Sequence, residues 1–239
     1  MDETKFCQEL QEKTSQMGLT LTQKQLQQFY GYLNLLIEWN QKMNLTAITE
    51  PEEVMVKHFI DSLTICPYLE NGKKVIDVGT GAGFPGIPYA IFDPTAEVLL
   101  ADSLQKRTIF LAEVKKELGL ENVHIVHGRA EDLGKDANYR EQYDFAVSRA
   151  VAPLPILLEY LIPFVKVNGF CVCMKGSNGK AELEQSKNAL TVLGGKVEEE
   201  KEFVLLGTDM GRTIFKIRKE KPTPKDYPRK AGVPTKQPL

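Results

Sequence analysis

One stretch constrains the fold more than any other: Lys73-Lys74-Val75-Ile76-Asp77-Val78-Gly79-Thr80-Gly81-Ala82-Gly83-Phe84-Pro85-Gly86. A short β-branched run with an acidic end opens into four glycines within eight residues. That pattern predicts a buried parallel strand turning tightly toward a helix. Glycine admits positive φ in such a turn, and its missing Cβ lets backbone N–H groups approach a ligand. Gly81-Ala82-Gly83-Phe84-Pro85-Gly86 fits the dinucleotide pattern G-x-G-x-x-G, which alone is a weak signal. Asp77 argues against a dinucleotide, because a carboxylate before the loop repels the doubly negative pyrophosphate and attracts a cation instead.

The length of 239 residues suits one α/β domain with an appendage. No apolar run is long enough to span a bilayer, and Met1-Asp2-Glu3 lacks the basic start and apolar stretch of a signal peptide. A cytoplasmic protein without a membrane partner is therefore expected. Cys7, Cys66, Cys171 and Cys173 form no C-x-x-C and have no histidine at ligand spacing, which predicts neither a metal site nor a disulfide framework. Cys171 and Cys173 alternate along an apolar strand and read as small buried hydrophobes.

Residues 1–70 read as a helical region packed on the core. Leu26, Phe29, Tyr30, Leu33, Leu36 and Ile37 make an amphipathic stripe, capped from Leu19 to Thr22. Thr49-Glu50-Pro51-Glu52 has the form of a capping box for a further helix that turns Met55, Phe59, Ile60 and Leu63 inward. Trp39 is expected to anchor one helix on the other. His58, Asp61 and Ser62 share a helical face and read as a hydrogen-bonded cluster holding this region against the Gly-rich loop.

From Asn71 onward strands alternate with helices, predicting a parallel sheet covered on both faces over residues 71–218. The pattern Val-Ile-Asp-Val-Gly-Thr-Gly-Ala-Gly resembles the first motif of class I methyltransferases, whose S-adenosylmethionine (SAM) carries a sulfonium cation and an α-amino group. The resemblance implies a Rossmann-like, seven-stranded, mostly parallel sheet, with Asp77, Gly79, Gly81, Gly83 and Phe84 at the cofactor. A second strand, 97–101, ends at Asp102, about twenty residues beyond the glycines, where such folds bind ribose hydroxyls. Asp102 can instead cap the next helix, 104–118, although Ser103 is available for that and also lies at the cofactor edge. That helix is expected to turn Leu104, Leu111, Val114 and Leu118 to the core. A third strand, 123–127, leads to Ala130 and Glu131, placed to meet adenine, while His124 and His127 read as satisfied structural residues. The fourth strand delivers Ser148-Arg149-Ala150 to the same edge. That edge has no Asn/Asp-Pro-Pro-aromatic motif and no nucleophilic cysteine, which favours a target that is already nucleophilic. A helix at 155–165, a strand at 169–175, a helix at 181–193 and a terminal hairpin of 198–206 with 212–218 complete the pattern.

Residues 219–239 form a basic tail. From Lys216 to Leu239 eight basic residues stand against two acidic ones, a local +6 in a chain of formal net charge −2. That asymmetry points to a phosphate-rich partner, with Lys221, Lys225, Arg229 and Lys230 as candidate contacts, or else to a solvated tail.

Trp39-Asn40-Gln41-Lys42-Met43-Asn44-Leu45-Thr46, Lys57-His58-Phe59-Ile60-Asp61-Ser62-Leu63, the Gly-rich loop with Phe84-Pro85-Gly86, Lys106-Arg107, Ser148-Arg149-Ala150 and Tyr227-Pro228-Arg229-Lys230-Ala231-Gly232 occur in fixed order. Together they resemble the RsmG (GidB) family of bacterial small-subunit rRNA methyltransferases across nearly the whole chain. The resemblance implies SAM-dependent methylation of guanine N7 in 16S rRNA, either naked or in the assembling small subunit. It also implies cofactor contacts at Gly79, Phe84, Ala130, Glu131 and Arg149. Guanine N7 has an unprotonated lone pair, so no general base is expected. Arg149 is left with three uses: orienting the base, binding phosphate, or contacting the cofactor. The competing readings are a small-molecule methyltransferase and a non-catalytic SAM- or RNA-binding module. A monomer without a metal is the expected state.

Overall fold

The structure is a computed structural model describing residues 1–239. Its elements run α1 (Glu3–Gln16), α2 (Gln23–Met43), α3 (Pro51–Val54), a π-helical stretch (Met55–Ile60), α4 (Asp61–Leu63), β1 (Lys74–Val78), α5 (Gly86–Phe92), β2 (Glu97–Asp102), α6 (Gln105–Leu118), β3 (Val123–His127), α7 (Ala130–Leu133), β4 (Tyr143–Arg149), α8 (Leu154–Leu161), β5 (Val165–Lys175), α9 (Gly179–Gln185), α10 (Lys187–Leu193), β6 (Gly195–Val204), β7 (Gly211–Lys219) and α11 (Val233–Lys236). The seven-stranded sheet has the order β3-β2-β1-β4-β5-β7-β6. Its first five strands pair in parallel, and β7 runs antiparallel to both β5 and β6. The order reverses between β1 and β4, so the crevice at the carboxyl ends of these two strands is where an open α/β sheet takes a ligand.

The central strands are apolar on both faces because helices cover both. Val75, Val98, Leu100, Phe145, Val147 and Val172 face the layer made by α1, α2, α5 and α6, while Ile76, Leu99, Ala101, Ala146, Cys171 and Cys173 face α8 and α10. Both strand cysteines are buried thiols, as are Cys7 and Cys66.

The N-terminal helices share the first of these cores and form no separate one. Thr22 and Gln25 make a reciprocal capping box at the start of α2. The Gln25 side chain also donates to the carbonyls of Ile91 and Phe92 at the end of α5, and Gln28 donates to Leu118 at the end of α6. Two helix C-termini are thus satisfied by amides from a third helix. Trp39 packs on Phe110 of α6 at 5.8 Å, so it anchors α2 on the α/β layer and not on a second N-terminal helix. Phe59 is fully buried among Phe6, Phe29, Tyr32 and Phe84. Its truncation to Ala would cost about 3–5 kcal/mol.

Several boundaries differ from the sequence expectation. Thr49 does not cap the helix after it, which starts at Pro51 behind Glu50 with no side-chain cap bond. Leu104 lies outside α6 and is exposed, because Asp102 turns the chain there. The expected single helix 181–193 breaks at Ser186 into α9 and α10. His124 is exposed on the edge strand β3, whereas His127 bonds the Ser103 carbonyl at 3.1 Å. The tail is packed against the domain, and Lys219 is buried with its ammonium 2.7 Å from Glu141.

Candidate active site

The Gly-rich turn is held from below by Asp77. Its Oδ2 accepts from Thr80 Oγ1 at 2.7 Å and from Gly86 N at 2.8 Å, while Oδ1 has no partner. Burial pushes its carboxyl up to about 7. Asp77 is fully buried and does not line the groove, so its direct contact is with the turn and not with a cationic ligand. Gly83 likewise faces inward: at φ +102° an added Cβ would meet Tyr32 Oη at 2.6 Å and Ile87 Cγ1 at 2.7 Å. Its missing side chain makes room for α2, whose Tyr32 hydroxyl donates to the Ala82 carbonyl. Gly79 does border the groove, and an added Cβ there would lie 2.6 Å from Val151.

Two adjoining cavities form the groove. One of about 420 Å³ is bounded by Thr46, His58, Phe84 and Arg149; the other, of about 310 Å³, by Ala130, Glu131, Tyr160 and Thr235. Gly79, Asp102, Ser103 and Val151 border both. Asp102 is buried and tethers the turns on either side of the groove, but does not cap α6, which has no side-chain cap bond. Oδ1 accepts from Leu104 N at 2.9 Å, stopping the strand ahead of α6, while Oδ2 accepts from Gly81 N at 2.9 Å and from Arg107 Nη1 at 3.2 Å. Ser103 does not cap α6.

Arg149 ends β4 and ties the helical region to the sheet. Its Nη1 donates to Asp61 Oδ2 at 2.9 Å and to the Lys57 carbonyl at 3.0 Å, its Nη2 lies 3.1 Å from His58 Nδ1, and its guanidinium sits 5.0 Å over the Phe84 ring. Asp61 also accepts from Arg212 Nε at 2.8 Å, so one buried carboxylate joins two arginines from opposite parts of the chain. His58 stacks on Phe84 at 4.5 Å and bonds Thr46 Oγ1 through Nε2 at 2.8 Å. Burial first, then the Arg149 charge, hold its imidazole down at about 3. The expected cluster of His58 and Asp61 against the loop is present, although Ser62 Oγ, buried beside it, has no partner.

A further cavity of about 370 Å³ lies on the other side of Arg149. Lys57, Lys175 and Arg212 line it, with Asp61 and Glu182 as the acidic members, and it shares His58, Arg149 and Ala150 with the first cavity. Arg212 and Lys175 were not foreseen. Arg212 lies 151 residues from Asp61, and no local pattern announces such a pair.

Of the tail residues expected at RNA, Lys221, Lys225 and Lys230 are exposed. Arg229 is not available: its Nε and Nη2 grip the fully buried Glu159 carboxylate at 3.0 and 2.7 Å. The following residues, Gly232 and Thr235, return to the groove beside Glu131. Glu131 Oε1 accepts from Gly232 N at 3.2 Å.

A family model described as rRNA small subunit methyltransferase G matches residues 25–206. The ribosomal RNA small subunit methyltransferase G of Alkaliphilus metalliredigens is 53% identical over 232 residues, covering 96% of this chain and 97% of that protein. The protein of the same name from Acetivibrio thermocellus is 52% identical over 238 residues, covering 99% and 98%. Among solved structures, M. jannaschii TYW2 in complex with AdoMet superposes with a TM-score of 0.54 at 16% identity, covering 67% of this chain and 76% of that one. A SAM dependent methyltransferase from Aquifex aeolicus gives 0.52 at 19% identity, covering 71% and 94%. At such identities the structural likeness speaks for the fold, which is that of class I methyltransferases.

Proposed function

The chain belongs to the rRNA small subunit methyltransferase G family, and on that premise we propose that it transfers the methyl group of SAM to N7 of a guanine in 16S ribosomal RNA. One observation carries the reading: a glycine-bordered groove fit for a nucleoside and a basic cavity fit for a nucleotide meet at Arg149, His58 and Ala150. The lining suits SAM: Ala130 and Glu131 would hold the adenine, Asp102 the ribose, and Gly79, Gly81 and Phe84 would border the remainder. A ribose hydroxyl would take the place of Arg107 at Asp102 Oδ2, where the Arg107 bond is the longer of two and its side chain is partly exposed.

SAM supplies an electrophilic methyl carbon on a cationic sulfur. An unprotonated N7 lone pair would accept that methyl group with no proton to be removed, so the protein need supply no base. The protein must place two reactants in line and manage charge. Asp61 does the second task, because it offsets the two guanidiniums that would otherwise oppose a sulfonium and a methylated, positively charged guanine. On the target side, Arg149 Nε and one Nη2 hydrogen have no protein acceptor. They suit the O6 edge of guanine or a phosphate, with Lys57, Lys175 and Arg212 around them.

The test is transfer of tritium from methyl-labelled SAM to small-subunit RNA taken from cells lacking the modification. Label recovered as N7-methylguanosine after digestion is the expected result. SAM binding without RNA labelling would sink it and leave the small-molecule or non-catalytic reading.

A further inference from the structure

The C-terminal segment, expected to serve RNA through its charges, is built into the wall of the groove. We propose that residues 229–236 form the outer wall of the adenine end, with Tyr160 and Thr235 as nucleoside contacts and the Arg229–Glu159 pair as the anchor. This inference rests on the cofactor reading above.

The anchor comes first. Arg229 gives Glu159 three donors: N at 2.7 Å, Nε at 3.0 Å and Nη2 at 2.7 Å. The Glu159 side chain is fully buried. A buried ion pair contributes little net stability, because desolvation offsets its attraction, but it fixes a segment in one position. Arg140 adds to that by donating to the carbonyls of Thr223 and Tyr227 at 2.8 and 2.7 Å. A tail that merely solvates lysines has no use for either device.

What the anchor positions is a wall. Glu159 precedes Tyr160 on α8, and the Tyr160 hydroxyl lies 3.3 Å from Thr235 Oγ1 of α11. Gly232 N closes onto Glu131 Oε1, so the two sides of this wall are joined at the residue assigned to the adenine amino group. Glu131 Oε2 keeps no protein partner and borders the cavity. Adenine seated between Ala130 and Thr235 would thus touch residues from the sheet edge, from α8 and from the last eight residues of the chain. Neither the Gly-rich loop beyond Gly79 nor Arg149 reaches that end.

The experiment is hydrogen exchange on the intact chain with and without 5′-methylthioadenosine, which carries the nucleoside but no amino-acid moiety. Backbone amides of Gly232, Val233, Thr235 and Lys236 should gain protection together with those of 130–133. Binding of the nucleoside with protection confined to the loops after β1 and β2 would overturn the proposal and spare the cofactor reading. Failure of the chain to bind either methylthioadenosine or SAM would sink both. As a second arm, Tyr160→Phe combined with Thr235→Ala should raise Kd for methylthioadenosine and for SAM by the same factor, at least about fivefold. A change of less than about twofold in both, or a loss for SAM alone, would refute the wall.

Discussion

His58 stands where the groove meets the basic cavity, and its bonds decide which proton state the site can hold. Arg149 donates to Nδ1, so the ring proton resides on Nε2 and is given to Thr46 Oγ1. A second proton would face a guanidinium inside a largely buried site, which is why the imidazole is held at about 3. The folded value lies below the reference of about 6.5, so between these pH values only the unfolded chain takes up the proton. His58 therefore adds stability that is present above about pH 6.5 and lost as pH falls toward about 3. Between about pH 7.5 and about pH 5.5, urea unfolding of wild type should lose roughly 1 kcal/mol relative to His58→Gln, a comparison in which the opposite contribution of the raised Asp77 carboxyl cancels. Guanine N7 has no proton to lose and the His58 ring stays neutral in this range, so the single-turnover rate should carry no limb from His58 between about pH 5.5 and about pH 8, where the raised Asp77 carboxyl titrates instead. His58→Gln should hold it within about tenfold, or roughly 1.4 kcal/mol in barrier. A thousandfold loss, with an acidic limb in the wild-type profile that the variant lacks, would make His58 a base. Asp77 gives the contrasting lesson at this scale. Its charge sign excluded a pyrophosphate, but its two donors come from the turn itself, and sequence position alone does not separate a residue that touches a ligand from one that shapes the loop.

Elements were legible where one physical signal dominates. The strands β1, β2 and β4 were legible because each is an apolar run in a covered sheet, and α2 because its stripe and Thr22–Gln25 cap agree, whereas β5 starts at Val165, ahead of the expected 169–175 and at the end of the expected helix 155–165. The segment from Pro51 to Leu63 was legible in the side chains it buries, Met55, Phe59, Ile60 and Leu63, and in the meeting of His58 and Asp61, but not in its uncapped start or its π-helical stretch. Gly83 belongs to this scale, since its role is to let α2 approach the loop. Gly83→Val adds backbone strain at φ +102° and a clash with Tyr32 and Ile87. Together these should destabilise the fold by about 2–6 kcal/mol. Chemical denaturation will show the loss directly, and SAM binding should fail as its consequence. An unchanged unfolding midpoint with SAM binding abolished would place the missing Cβ in ligand space instead.

Across the whole molecule, charge and packing divide the tail into two sides. The sequence pattern revealed +6 near the C-terminus but not which charges are spent inside, because Glu141 and Glu159, which pair with Lys219 and Arg229, lie 78 and 70 residues earlier in the chain. Arg229 thus holds the wall in place and Lys219 is spent on Glu141, while Lys221, Lys225, Lys230 and Lys236 remain exposed on the outside. Removing the whole tail would confound the two, since it strips the groove as well as the charges. Replacing Lys221 and Lys225, the exposed lysines outside the wall, with glutamine touches neither the buried pairs nor the Gly232–Glu131 bond. That variant should bind SAM with unchanged affinity. Its affinity for small-subunit RNA should fall, and the slope of log K against log salt should flatten by ~0.7–0.9 for each phosphate that the variant no longer neutralises. The weakening should be similar for unrelated RNA sequences, because interactions with phosphate carry no base identity. If the slope is unaltered, the lysines are only solvated, and the electrostatic attraction for RNA must come from the basic cavity around Arg149, Lys175 and Arg212.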